Sequence, residues 1–238
     1  MGVDVYVLKF LTHCRQHFGP FNRTFQIGRQ GIYLDQRHLP IADAIVREHG
    51  IGENFRSVGG SEPYAETLFK ALGATDVISC DVSPYEGAHL VHDFNNPVPE
   101  EWRGGFDTVF DGGSIEHIFN APVALANLMQ LTRIGGRVLS INGANDFLGH
   151  GLYQFSPELM FRVFSEINGF KMLATFLVAL DNLPTLSLAA DPQAKGERIE
   201  IGRTGRSTYL MFVAEKIAEV KPFQSWPQQS DYTLIWKK

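Results

Sequence analysis

Several apolar runs in this chain end in acids and glycines. TFQIG leads into Arg29-Gln30, DVISCD ends in Asp81 with Val82 next, HLVHDF carries Asp93 and Phe94, and FDTVF leads into Asp111-Gly112-Gly113. A carboxylate at the end of such a run can accept both hydroxyls of a ribose, a role open to Asp81. Asp93 beside Phe94 offers an acceptor next to an aromatic face, suited to an adenine amino group and ring. Gly28, Gly112 and Gly113 remove side chains where backbone would approach a ligand closely. Together these positions describe a pocket shaped for a nucleoside. Any one of the acids is more simply a turn or helix cap; the ordered set carries the inference.

Two histidines stand close to this set. His117 follows the Asp-Gly-Gly stretch in GGSIEHIFN, and His150 sits in GHGLYQFSP with Tyr153 and Gln154 behind it. A neutral imidazole suits proton acceptance near pH 7 from an alcohol or phenol being alkylated. We therefore expect His117 or His150 as base, and Tyr153 and Gln154 as substrate-facing. The plainer reading is that Glu116-His117 caps a helix or braces the pocket and that His150 bonds to loop backbone. No metal site is expected: His89 and His92 fall in a strand-like run and point to opposite faces, and neither HExxH nor a Cys/His cluster occurs. No GxSxG elbow supports a serine hydrolase.

Composition narrows the class. A net charge of −5 without a basic tract argues against a broad nucleic-acid surface, so no nucleic-acid partner is expected. The two cysteines, Cys14 and Cys80, are expected to be free thiols in a reducing compartment, Cys80 buried and inert. MGVDVYVLKF lacks the pattern of a signal peptide, and MLATFLVAL is too short to span a bilayer. The expectation is a soluble cytoplasmic protein without a membrane partner. Oligomeric state is not legible.

The elements that must position these residues alternate. Helical spacing is read at Val3–Phe18, Ile41–Gly50, Pro63–Leu72, Pro122–Leu131 (closed by Gly-Gly) and from Ser156-Pro157 to Asn168-Gly169. Strands are read at Thr24–Gly28, Asp76–Asp81, His89–Phe94, Phe106–Phe110, Arg137–Asn142, Lys171–Leu180 and Ser207–Lys216. Near-continuous apolar strands between helices predict an α/β fold: an open, mostly parallel, doubly wound sheet with one late strand antiparallel. Residues 1–238 read as one domain, with an N-terminal helical extension over 1–23 and insertions at 29–60 and 181–207.

The succession DVISCDVS, HDFNNPVP, FDTVFDGGSIEHIFN, PVALANLMQLTRIGGRVLSIN and GHGLYQFSPELMFRVF resembles the small-molecule branch of the class I S-adenosylmethionine-dependent methyltransferases, from about Tyr64 to Phe170. The resemblance implies a seven-stranded, Rossmann-like sheet and S-adenosyl-L-methionine as cofactor. It implies that Asp81, with Val82 beside it, holds the ribose hydroxyls, Asp93 and Phe94 the adenine, and Asp111, Gly112 and Gly113 the methionine arm. The family's GxGxG loop is replaced here. Either IGRQG serves, with Gly28 at the cofactor and Gln30 or Arg29 at its carboxylate, or SVGGS does, through Gly59 and Gly60. IGRQ is favoured because it ends a strand-like run.

The reading that follows is methyl transfer to oxygen or nitrogen of a small molecule or glycan. A second is a catalytically silent relative acting as a binding or scaffold protein. A third, a nicotinamide-dependent reductase, lacks GxGxxG and a Tyr-x-x-x-Lys pair. Arg198, Arg203 and Arg206 in the later insertion read as a lid over an anionic acceptor or as a solvated loop.

Overall fold

Successive residues of the central strands belong to opposite apolar layers, which is what a sheet covered on both faces requires. Phe110, Leu139, Ile141, Met211 and Val213 join one core; Val109, Val138, Phe212 and Ala214 join the other. The computed structural model describes residues 2–60, 62–181, 183–195, 198 and 205–236.

Strands β1 (Asn22–Ile27), β2 (Ala74–Asp81), β3 (Leu90–Val91), β4 (Phe106–Gly112) and β5 (Thr132–Asn145) run parallel. They are followed by β6 (Phe170–Ala179), β7 (Ser187–Leu188) and β8 (Thr208–Lys216). The order across the sheet is β3-β2-β1-β4-β5-β8-β6-β7, with β8 antiparallel to both of its neighbours. This is the doubly wound, Rossmann-like arrangement expected. Its eighth strand, β7, is a two-residue addition at the β6 edge.

Helices α1 (Val5–Phe18), α2 (Leu39–Glu48), α3 (Phe55–Gly59) and α4 (Glu66–Ala71) cover one face, and α5 (Ala121–Leu131) and α6 (Pro157–Val163) the other. Short helices α7 (Pro192–Lys195) and α8 (Ser230–Trp236) follow. Asp4 caps α1, its carboxylate accepting from the amides of Tyr6 and Val7, and Ser156 caps α6 through Leu159 N–H.

Several expected boundaries are corrected. The helix expected from Pro63 begins at Glu66, because Pro63 and Tyr64 pair back onto the loop after β1. Ile32 N–H donates to Pro63 C=O and Ala65 N–H to Gln30 C=O. The chain thus leaves after β1, builds α2 and α3, and returns so that α4 still starts beside that loop. HLVHDF pairs only at Leu90–Val91, so Asp93 and Phe94 lie beyond the strand. β4 continues through Gly112, placing Asp111 inside it, and β5 starts directly at Thr132, so Gly-Gly lies in the strand rather than closing α5. The helix from Ser156 ends at Val163, and a separate short turn covers Glu166–Asn168.

Candidate functional site

β1 lies between β2 and β4, where the chain's path across the sheet reverses direction, and open α/β sheets bind ligands at such a point beyond the strand ends. Ile27 is in register with Cys80 on one side and Asp111 on the other. The residues one step further, Gly28, Asp81 and Gly112, therefore form a row. A cavity of about 360 Å³ opens above it, lined by Gly28, Arg29, Gln30, Asp81, Val82, Asp93, Phe94, Gly113, Ser114, His117 and Ile118, among others.

Its floor is backbone. Gly28 has φ of 72°, and a β-carbon there would stand 2.9 Å from Ser114 Oγ and 3.2 Å from Gln30 Nε2. Both of those groups are spent on the same carbonyl: Ser114 Oγ donates to Ile27 C=O at 2.7 Å and Gln30 Nε2 at 2.6 Å. Gln30 Oε1, by contrast, is buried and has no hydrogen-bond partner among the described residues. Arg29 lines the cavity but is committed elsewhere: its Nε donates to Glu66 at 2.7 Å, its Nη1 to Glu86 C=O at 2.8 Å, and its guanidinium lies over the Tyr64 ring.

Asp81 and the exposed Val82 form one wall. Asp93 accepts from the Asn95 amide and side chain at 2.9 and 2.8 Å, which holds its carboxyl below the ordinary range. Phe94 contributes to the lining but is buried and packed on Phe25, so it presents an edge of the core rather than a free aromatic plate.

Two expected pocket residues lie beneath it instead. Asp111 is fully buried and absent from the lining; its oxygens accept from Ser114 N–H, Ile115 N–H, Ser140 Oγ and Asn142 Nδ2. Burial raises its carboxyl, and those donors oppose the rise. Gly112 faces the Gln30 side chain, whose Cδ would stand 2.7 Å from a β-carbon there. Of the alternative loop, Gly59 backs onto the Phe55 ring and Gly60 onto Thr67, and neither reaches the cavity.

The loops after β4 and β5 meet at Glu116. Its backbone carbonyl accepts from Leu152 N–H at 2.8 Å and Tyr153 N–H at 3.1 Å, and Oε2 from Gly143 N–H at 2.6 Å. Oε1 lies 3.0 Å from His150 Nε2 and 3.7 Å from His117 Nε2, and the two imidazoles stand edge to face, 4.9 Å apart. Burial pushes the Glu116 carboxyl up to about 7, and it lowers the His117 imidazole, with His150 adding to the effect. His117 reaches the cavity, while His150 stands behind it. The three side chains converge, their nearest ligand atoms all within 4.8 Å of one another, although no metal site is expected from the sequence. The sequence shows Glu116-His117 but nothing that brings His150 to them.

Tyr153 and Gln154, expected to face substrate, hold the loop together. Tyr153 Oη donates to Phe119 C=O at 2.7 Å, and Gln154 Oε1 accepts from Phe147 N–H at 3.0 Å. Ser114 and Ile118 are lining residues that the sequence reading passed over. Arg198 pairs with Asp231 of α8 and Arg206 lies 3.9 Å from Asp181, while Arg203 lies outside the described residues. A larger concavity of about 470 Å³ between α6 and α8 contains Glu158, Arg162, Arg198 and Asp231. Its charges are mutually paired, which leaves little for a ligand.

No protein-family profile matches the chain, and no curated protein matches it by sequence. Among solved structures, it is similar to the N-methyltransferase NodS from Bradyrhizobium japonicum WM9 in complex with S-adenosyl-L-homocysteine: 12% identity, 89% of this chain and 87% of that one, TM-score 0.47. It is also similar to the 1,6-didemethyltoxoflavin-N1-methyltransferase of Burkholderia thailandensis, at 13% identity over 89% and 78% of the chains, with a TM-score of 0.44. TehB from Haemophilus influenzae aligns at 14% identity over 87% and 61%, TM-score 0.47. Likenesses at this level do not by themselves carry a function across.

Proposed function

We propose that this chain is a methyltransferase of one domain that uses S-adenosyl-L-methionine and moves its methyl group to oxygen or nitrogen of a small molecule or glycan. The observation that carries the proposal is the row at the ends of β1 and β2: the Asp81 carboxylate stands 3.8 Å from where a β-carbon on Gly28 would lie. A carboxylate acceptor beside bare backbone, in a cavity of nucleoside size, suits the hydroxyls of a ribose.

The chain's residues fit that cofactor. Asp81 has oxygens for two ribose hydroxyls, Asp93 an acceptor for the adenine amino group, and Val82 and Ile118 apolar walls for the ring. Gly28, without a side chain, leaves room for the methionine arm to run over the end of β1. When bound, the cofactor supplies an electrophilic methyl group on a sulfonium. The chain contributes proximity and alignment, closing one side of the cavity with the loop after β4. An acceptor held on the open side of the cavity would be methylated there, and the proton it loses would pass toward Glu116, His117 and His150.

Calorimetry with S-adenosylmethionine and S-adenosylhomocysteine tests the reading. We expect both to bind, and Asp81→Ala to weaken both. Absence of binding at high micromolar concentration sinks it. Binding without transfer to any acceptor in a broad panel would instead favour a silent binding protein on the same fold.

A further inference from the structure

Glu116 is 1% exposed, and its Oε1 has no hydrogen-bond partner among the described residues. His150 Nε2, 3.0 Å away, is likewise buried and without a hydrogen bond, because the two atoms are close but not aligned along an N–H direction. A buried carboxylate oxygen and a buried ring nitrogen within ion-pair range but without a hydrogen bond are poorly satisfied unless a third partner serves both. His117 Nε2 lies 3.7 Å from the same oxygen, and the ligand atoms of all three residues lie within 4.8 Å of one another. Atoms held ~2.0–2.2 Å from a common centre stand about 3 to 4 Å apart.

We propose that Glu116, His117 and His150 bind one divalent transition-metal ion. Two imidazoles and one carboxylate suit Zn2+, Fe2+, Co2+ or Ni2+ better than Mg2+ or Ca2+, which take oxygen-rich sets. Three protein ligands leave coordination positions free, and one of the three, His117, also lines the cavity. Glu116 is already held by Gly143 N–H through its other oxygen, which fixes the carboxylate in the manner of a supported ligand. Ion binding itself needs no cofactor. Where the methyl-transfer reading also holds, the free positions would take the acceptor's oxygen or nitrogen and ease loss of its proton, replacing a histidine as the base.

The test uses the full chain stripped with chelator. Titration with Co2+, followed by visible absorption, and with Zn2+ against a colorimetric chelator should each show one equivalent per chain. Glu116→Gln and His150→Ala should each lower Zn2+ affinity well over tenfold, while His49→Ala, at the end of α2, leaves it unchanged. His150 is half-exposed in a loop, and a native circular dichroism spectrum confirms that its variant folds. Absence of stoichiometric binding, or binding that survives both ligand substitutions, overturns the proposal. S-adenosylhomocysteine binding, measured on the same metal-free protein, separates this outcome from failure of the methyl-transfer reading.

Discussion

The side-chain amide of Gln30 occupies the space that a β-carbon on Gly112 would need. The loop after β1 is thus locked against the end of β4 by side chain on one side and bare backbone on the other. Gly112→Ala is expected to destabilise the fold by about 1–3 kcal/mol through overpacking, measured by urea denaturation. Gln30→Ala should relieve part of that cost in the double variant. Additive losses would show that the two positions do not meet.

Asp111 and Asp93 look alike in the sequence and should behave oppositely. Removing the Asp111 carboxylate strands one buried and one half-buried amide and two buried side-chain donors, so Asp111→Ala is expected to cost about 3 kcal/mol or more. Asp93→Ala, at an exposed turn held by Asn95, should lower the denaturation midpoint far less and weaken S-adenosylhomocysteine binding. A stable Asp111→Ala protein would contradict the network.

That contrast shows what was legible. Phe106–Phe110 reads as a strand because its apolar run is continuous, but the run says nothing of which way the next acid points. Ser140 and Asn142 held the missing signal: two polar residues two apart, in an otherwise apolar strand, share one face and need a buried partner. The doubly wound sheet followed from alternating periodicities, each local. The starts of α4 and β3 did not, because they are set by pairing with other segments, Tyr64 with Gly31 and Leu90 with Cys80. The same holds for His150, whose approach to Glu116 depends on two loops from different strands.

His13 should make the protein acid-sensitive. Burial against Phe176, with His17, His49 and Lys9 adding positive charge, lowers its imidazole from 6.5 to about 4 in the fold. The unfolded chain therefore takes up the proton first, and the stability from neutral His13 is complete above pH 6.5 and lost as pH falls toward 4. His13→Phe is expected to flatten the fall in melting temperature across that window. An unchanged slope would exclude His13 as its source.

Cys14 and Cys80 are buried and unpaired, and burial raises both thiols, Cys80 to about 12. A thiol-specific reagent at pH 8 should titrate neither in the native protein and both in guanidinium. Fast reaction of either would place it at the surface.

The hold that Glu116 keeps on Gly143, Leu152 and Tyr153 has a mechanical consequence. Two rims of the cleft, drawn from different strands, are riveted into one jaw and cannot part independently. Any widening to admit a bulky partner must swing that jaw whole, with its pivot elsewhere. The amide hydrogens of Gly143, Leu152 and Tyr153 should then exchange with solvent at one common opening rate, and three unequal rates would show the rims moving separately.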